Sequence, residues 1–302
     1  MTARLADRAV ILVAEVYYDD NFGWKAKIVN VISLVDMLTK KKTPMSTPNQ
    51  VKALKQIILD YNGEGNADYE NILAILVDSG SGGAGVPITD FLCEDWEDEN
   101  GVMHRGLIDS EFRPDEKMKS KFPNAIDGIL HLISPAKYKP DLFEALIKMM
   151  QQNLIEFTEE YMNKGYLTLI YEKHPSGEMV QRYTYPSEKE EKELRKKGIS
   201  IETKIRHLEL DEEVALKQID SMKNELVNIY RFKQSNGRDR FDLAPDKVGK
   251  LNDDKAYVAA LLGFQLSNMR RENIVNRKRS QNYDITKMVG VSKRPQKWGF
   301  YN

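Results

Sequence analysis

The stretch from 72 to 86 constrains this chain more than any other. Its first part, Ile72 to Val77, is a short apolar run rich in branched residues, which predicts a buried strand. The strand ends on Asp78, and a glycine-rich turn leads from there into a predicted helix through Ile88 to Leu92. An acid at the end of a central strand, next to residues with almost no side chain, leaves room for a metal ion or a phosphate. The alternative is an aspartate that caps the next helix.

Composition excludes several classes of protein. The chain has 302 residues, 41% of them apolar, which is enough for a large buried core. A single cysteine, Cys93, excludes an internal disulfide framework, and the four scattered histidines make no zinc pattern. No apolar run reaches the length of a membrane span, and the first residues do not read as a signal peptide. The net charge is −1, yet nine Lys and Arg residues lie between Arg270 and Asn302 against only Glu272 and Asp284.

The order of predicted elements is specific. Arg8 to Tyr18 and Trp24 to Leu34 are predicted to pair as an antiparallel hairpin, and Ser46 or Thr47 begins a helix with Pro48 in its first turn. Met103 to Ile108 is predicted as a strand that ends at Asp109. The later predictions are a helical face at Phe143, Leu146, Ile147, Met150 and Leu154, a hairpin over 166–172 and 178–185, a charged helix over 187–197, an amphipathic helix over 212–230 with Val214, Ile219, Met222, Leu226 and Ile229 inward, and a helix after Asn252-Asp253-Asp254 that carries Tyr257, Leu261 and Phe264.

This order indicates an α/β chain with an RNase H-like (RuvC/integrase-type) fold, a mixed sheet flanked by helices, here with a β-hairpin insertion. In that fold, acids from the first strand, the fourth strand and the last helix meet at one edge of the sheet. Two divalent ions about 4 Å apart can clamp both oxygens of a phosphodiester displacement, and such hard cations prefer oxygen ligands. Asp78, Asp253 and Asp254 are therefore the predicted catalytic and metal-binding residues, and Asp109 is an auxiliary acid or a simple turn cap.

Three segments, residues 77–87, 104–109 and 252–261, resemble the nuclease domain of a tailed-bacteriophage terminase large subunit. The resemblance implies a two-metal-ion endonuclease that uses Mg²⁺ or Mn²⁺ to cut concatemeric double-stranded DNA during genome packaging. It makes Asp78 the second active-site acid and leaves open which of Asp253 and Asp254 is the third. The implied partners are DNA, the portal protein, the small terminase subunit and an ATPase domain. The implied location is the cytoplasm of the infected bacterial host, at the procapsid portal.

The chain departs from that family in two respects. Two strands are predicted before the first helix where the family has three, and the strand without a counterpart is the one that carries the first catalytic acid. Asp7 and Glu15 are the candidates to replace that acid. The sequence also contains no G-x-x-x-x-G-K-[ST] motif for an ATPase. The resemblance thus implies an N-terminally truncated nuclease domain that by itself cuts DNA weakly or not at all.

The domain prediction places the nuclease domain over 1–270, with an insertion over 164–200, and a basic tail over 271–302. The predicted DNA-binding residues are Arg270, Arg271, Arg277, Lys278 and Arg279. A non-catalytic DNA-binding or motor-interface module is the alternative, and a solvated tail is the simplest reading of these charges. Residues 80–85 match G-x-G-x-x-G literally, but a dinucleotide fold would place this motif after its first strand, whereas here a hairpin precedes it.

Overall fold

The computed structural model describes residues 9–34, 45–63, 67–79, 85–112, 117–158, 165–182, 185–235, 237 and 239–280. The strands are β1 (Ala9–Asp19), β2 (Gly23–Leu34), β3 (Ile75–Asp78), β4 (Trp96–Glu97), β5 (Met103–His104), β6 (Leu107–Ile108), β7 (Ile126–Asp127), β8 (Leu130–Ile133), β9 (Ile155–Phe157), β10 (Tyr166–Lys173), β11 (Met179–Arg182), β12 (Ser200–His207), β13 (Ile229–Lys233) and β14 (Asp239–Leu243). The α-helices are α1 (Thr47–Asn62), α2 (Gly85–Asp90), α3 (Met118–Lys121), α4 (Pro135–Gln151), α5 (Glu188–Lys196), α6 (Leu210–Val227) and α7 (Asp254–Ser280), and a 3-10 turn spans Ala67–Tyr69. The chain is mixed α/β, with helices packed against several small sheets.

The predicted N-terminal hairpin is confirmed. β1 and β2 pair antiparallel from Ala9↔Leu34 to Asp19↔Gly23, with one irregularity after Val13. The Asp19 carboxylate closes the turn, because its Oδ1 accepts the N–H groups of Asn21 and Phe22. The helix that follows also begins as predicted, with Ser46 before it and proline in its first turn.

β9 is an unpredicted third strand beside this hairpin. It runs parallel to β2, with Ala26 opposite Ile155. The sequence pattern had placed Leu154 on a helical face, but α4 ends at Gln151 and the chain turns at Asn153, whose φ is +54°. Leu154 is instead buried immediately before β9, where its carbonyl accepts the N–H of Ala26. In the sequence, the apolar spacing of α4 continues to Leu154 just before β9, so that the two elements resemble a single helix.

β3 and β8 form a separate parallel pair, and their alternation defines two faces. Ile75 and Val77 pack with Leu130 and Leu132 in a cluster on the α1 side. Leu76 points the other way, into the cluster that α4, α6 and α7 bury. Because strand side chains alternate, the residues opposite in phase to Val77 face α7. The strand predicted at this place is therefore confirmed from Ile75 onward, but it is half-buried rather than buried, and Leu73 before it is 56% exposed.

The strand predicted from Met103 to Ile108 is corrected to two short strands, β5 and β6, with different partners. β5 pairs with β4, and β6 pairs with β7. Gly106 lies between them, so close to the preceding chain that an added Cβ would come within 2.1 Å of the Cys93 carbonyl oxygen. Its N–H donates to Asp95 rather than to a ladder partner, which interrupts the strand.

The core of the molecule lies between the β1–β2–β9 sheet and helices α4, α6 and α7. Gly263 of α7 lies against Leu146 of α4, where an added Cβ would be 2.5 Å from the Leu146 Cα. Ile219 and Met222 of α6 are fully buried as predicted, but Val214 is 47% exposed and α6 ends at Val227, so Ile229 belongs to β13. The α6 prediction was thus too long at its C-terminal end, and its inward position at Val214 was wrong.

The predicted insertion is a three-stranded sheet with one helix. β10 lies between β11 and β12, so the hairpin prediction is confirmed and a third strand, beyond residue 200, is added to it. α5 begins with a capping box between Ser187 and Glu190 and has no buried residue. At the other end of the chain, α7 continues past residue 270 to Ser280, across the boundary predicted between domain and tail.

Candidate active site

Asp78 ends β3 on the face that looks toward α7. It pairs with Ile133, whose side chain is buried in the cluster of α4 and α7, and the ladder continues when the Ser79 N–H donates to the Ile133 carbonyl at 2.8 Å. The glycine-rich turn predicted to follow, residues 80–84, lies outside the described residues. The strand therefore delivers Asp78 to the edge of the sheet where the first turn of α7 begins.

The first turn of α7 lies close to Asp78. The Tyr257 N–H donates to the Asp253 carbonyl at 2.9 Å, which places Tyr257 one helical turn after Asp253. Burial, and then the negative charge of Asp78, raise the pKa of the Tyr257 hydroxyl far above its usual range. Leu76 of β3 and Tyr257 of α7 also pack against the same core cluster, so the end of β3 and the beginning of α7 lie on the same side of the core, although they are far apart in the sequence.

Two buried hydroxyls lie beside these acids. The Oγ of Ser79 and the hydroxyl of Tyr257 are buried and make no hydrogen bond within the described part of the chain. Buried hydroxyls in folded proteins nearly always have a partner. Both residues are therefore notable next to Asp78, and neither was identified from the sequence as a polar group of the site.

Asp253 is paired with a lysine of α4. The Lys139 Nζ donates to Asp253 Oδ2 at 3.3 Å, and both side chains are about one-third exposed. Lys139 also influences Asp242 of β14. Burial raises the pKa of Asp242, but the hydrogen bond from Arg240 and the charges of nearby cations, including Lys139, lower it, and the resulting pKa lies below its usual range. Lys139 had a weak sequence signal, because it lies four residues before Phe143 and so on the predicted packing face of its helix.

Asp254 has different surroundings from Asp253. It lines a cavity of ≈ 230 Å³ together with Glu225, Lys250, Asn252 and Lys255. The Glu225 carboxylate is only 6% exposed, and it accepts the N–H of Lys255 at 2.9 Å and of Ala256 at 3.3 Å. Burial raises the pKa of Glu225 in spite of these bonds and of the Lys255 ammonium. Asp253, next to Lys139, and Asp254, in this cavity, therefore have different neighbours at the start of α7.

Asp109, the predicted auxiliary acid, is engaged in local structure. Its Oδ1 accepts the N–H groups of Glu111 and Phe112 at 3.0 Å each, and its Oδ2 accepts the N–H of Leu132 at 2.8 Å. These bonds close a turn after β6 and tie it to β8. This is the arrangement of the turn-cap interpretation, with three backbone donors on one carboxylate.

Two residues, Asp7 and Glu15, were the candidates to replace the first catalytic acid. Glu15 is an exposed residue of β1, and Asp7 lies outside the described residues. Among the described residues, no group of three or more His, Cys, Asp or Glu side chains is arranged to hold a metal ion. Asp78 ends β3 and Asp253 precedes α7, so each offers a hard oxygen donor on the side of the core where these two elements pack.

The predicted DNA-binding residues lie at the C-terminal end of α7. The Arg270 guanidinium donates to the carbonyls of Phe22 and Trp24, so it fastens α7 to the turn between β1 and β2. Arg271 lies on the exposed side of the helix. Arg277, Lys278 and Arg279 fall in the last turns of α7, and the rest of the basic tail lies outside the described residues.

In comparisons of sequence and structure, no protein-family model, no curated protein and no solved structure matches this chain. Within the part of the chain that the structure describes, no helix combines the length and the apolar character needed to cross a membrane.

Proposed function

We propose that this chain is a metal-dependent endonuclease domain of the terminase type, which cuts double-stranded DNA during genome packaging. The observation that supports it best is that Leu76 of β3 and Tyr257 of α7 pack against one core cluster, with Asp78 following on the same strand face as Leu76. An antiparallel hairpin, an acid-bearing parallel strand and a late helix that begins at two acids are the features expected of an RNase H-like nuclease. The motif resemblance of the three segments supports the same family.

Asp78 and Asp253 would hold a divalent ion, and Asp254 is the further acid of the proposed set. Their carboxylate oxygens suit Mg²⁺ or Mn²⁺, which would supply charge stabilisation and an activated water at a phosphodiester. Lys139 already neutralises Asp253 across 3.3 Å, so the ion must displace or share this contact. Two ions are proposed for the active form, as the resemblance implies.

The proposed setting follows from the resemblance. The partners proposed are double-stranded DNA, the portal protein, the small terminase subunit and an ATPase domain, and the place is the procapsid portal in the cytoplasm of an infected bacterium. The basic end of α7 supports the contact with DNA, because Lys and Arg neutralise phosphates and release counterions.

Plasmid nicking by the whole chain tests the proposed activity. We expect slow nicking with Mn²⁺, none in EDTA, and loss of nicking in Asp78→Asn and in Asp253→Asn. Asp60→Asn is the matched control, since Asp60 is an exposed aspartate of α1 on the opposite side of the sheet. Nicking that survives both substitutions, or that persists in EDTA, would refute the proposed site.

A non-catalytic DNA-binding or motor-interface module is the second candidate. The ion pair between Lys139 and Asp253 favours it, because an ammonium already compensates the acid that a metal would otherwise neutralise. This candidate predicts salt-dependent DNA binding that is unchanged in Asp78→Asn, and no nicking at any Mn²⁺ concentration. The proposed nuclease predicts the opposite result for nicking.

A further inference from the structure

The first turn of α7 is capped from another helix. A helix leaves its first N–H groups without partners, and the residue just before the helix normally accepts the second and third of them through its own side chain. α7 begins at Asp254, so the residue in that place is Asp253, and the N–H groups in question belong to Lys255 and Ala256. Both of these groups donate instead to Glu225 Oε2, from α6, thirty residues earlier in the chain.

Glu225 is held in that position by buried contacts. It is 6% exposed and Lys255 is 8% exposed, and the Lys255 Nζ lies 3.7 Å from Glu225 Oε1. The same Nζ donates to the Ser221 Oγ at 2.6 Å, one turn before Glu225 on α6. A buried carboxylate needs compensating donors and a counter-charge, and here α7 supplies all of them. α7 therefore supplies both the hydrogen-bond donors and the counter-charge that hold the Glu225 side chain in place.

Capping by Glu225 changes what Asp253 can do. An aspartate at the start of a helix ordinarily turns its carboxylate back to the helix's own N–H groups. With those groups already bound by Glu225, the Asp253 carboxylate points away to Lys139, at 3.3 Å. Tyr257, one turn later on that side of α7, packs against the core cluster that also receives Leu76 of β3.

We infer that Glu225 is a positioning residue, which takes the capping role from Asp253 and so keeps the Asp253 carboxylate available to bind a divalent cation beside Asp78. The part of this inference that concerns the cation rests on the proposed function. The part that concerns capping does not, because it can be measured without metal. Without Glu225, Asp253 turns back to cap α7 and leaves the candidate site.

A double-substitution cycle in EDTA tests the capping role. In the wild-type chain, Asp253→Ala removes only an exposed ion pair and changes the unfolding equilibrium constant by about twofold or less. In a Glu225→Ala background, the same substitution also removes the replacement cap, and we expect an additional change of about fivefold, which is the usual effect of losing one cap. Effects that add to within about twofold would overturn the inference. If Glu225→Ala does not fold, Glu225→Asp serves as the background, because its shorter side chain falls back from the Lys255 N–H.

Mn²⁺ titration tests the consequence for the site. We expect Glu225→Ala to raise the half-saturating Mn²⁺ concentration about tenfold, and Glu225→Gln, which keeps an acceptor oxygen of the same reach, to stay within about twofold of wild type. Glu190→Ala is the matched control, since it removes a helix-capping glutamate of α5. Equal effects of Glu225→Ala and Glu225→Gln would overturn the positioning role.

The two experiments separate the two claims. A chain that binds Mn²⁺ through Asp78 and Asp253 but shows no coupling between Glu225 and Asp253 overturns the positioning role and leaves the proposed function standing. A chain that shows the coupling but binds no Mn²⁺ refutes the proposed function and the cation-binding part of this inference, while the capping role is supported.

Discussion

The two sides of the first turn of α7 hold ion pairs of opposite kinds. Lys255 and Glu225 are buried, with side chains 10% and 8% exposed, and the carboxylate also caps the helix. Lys139 and Asp253 are 36% and 33% exposed, and their contact has no described backbone bond to support it. A buried pair cannot open without leaving a charge uncompensated, whereas an exposed pair can exchange its partner at small cost. The pair of Lys255 and Glu225 therefore holds the start of α7 in place, whereas the pair of Lys139 and Asp253 leaves the Asp253 carboxylate able to bind another cation.

The largest effect is expected on the buried side. Lys255→Met removes the counter-charge of Glu225 and the donor to Ser221, and should lower the free energy of unfolding by about 3 kcal/mol, because it leaves a buried carboxylate partly unpaired. Urea denaturation at pH 7 measures it. Lys139→Met is the matched control, and equal losses in the two variants would break the contrast between the pairs.

Tyr257→Phe should stabilise the protein. The buried Tyr257 hydroxyl has no hydrogen-bond partner among the described residues, so its removal relieves a desolvation cost and should raise the free energy of unfolding by about 1 kcal/mol. Thermal denaturation in EDTA measures the change. Tyr69→Phe serves as the contrast, because the Tyr69 hydroxyl donates to the Arg105 carbonyl at 2.7 Å. A loss of stability in Tyr257→Phe would mean that this hydroxyl is satisfied.

The Lys139→Met variant should bind Mn²⁺ more tightly than the wild-type chain, which would support Asp253 as a ligand of the ion. Removing a cation 3.3 Å from Asp253 removes its repulsion of the incoming ion. Because both side chains are about one-third exposed, solvent screens this repulsion to about 1 kcal/mol, the value for unit charges in water, or about fivefold in the half-saturating concentration. Calorimetric titration measures it, and stability should change by less than about 1 kcal/mol. Weaker Mn²⁺ binding in this variant would show that Lys139 organises the acids for the ion.

A smaller effect should appear in the pH dependence of stability. Folding raises the pKa of Glu225 above the unfolded value of 4.5, so the folded state binds this proton more tightly. The contribution of Glu225 to the free energy of unfolding is therefore fully present below its unfolded pKa and is lost as the pH rises through its folded pKa. Glu225→Gln removes the titration, so the stability of wild type relative to this variant should fall as the pH rises above 4.5. A difference that is constant from pH 4 to 8, measured by urea denaturation, would contradict the raised pKa.

Periodicity and turn chemistry were sufficient to predict much of the fold. Local pattern predicts the β1–β2 hairpin, the start of α1 after Ser46, the strand before Asp78 and the buried positions Ile219 and Met222. Local pattern gave wrong element boundaries where the apolar spacing of one element continued into the next, as at Leu154. It also did so where a close backbone contact interrupted a strand, as at Gly106.

The polar partners of the site could not be predicted from the sequence. Asp78 and Asp253 were identified because each stands at the end of a strongly patterned element. Lys139 and Glu225 act on α7 across 114 and 30 residues of chain. The position of Lys139 on the predicted packing face is a weak signal that does not identify its partner, and nothing in the sequence around Glu225 distinguishes it from a solvated charge. Their roles follow from tertiary packing alone, which also explains why the sequence left open how Asp253 and Asp254 differ.

Mn²⁺ binding to the whole chain, followed by electron paramagnetic resonance, tests the central claim most directly. The account predicts saturable binding that is lost in Asp78→Asn and in Asp253→Asn, is retained in Asp60→Asn, and is weakened less in Asp254→Asn than in Asp253→Asn. Binding that is unchanged in either Asp78→Asn or Asp253→Asn would contradict the claim that the end of β3 and the start of α7 together form a metal site.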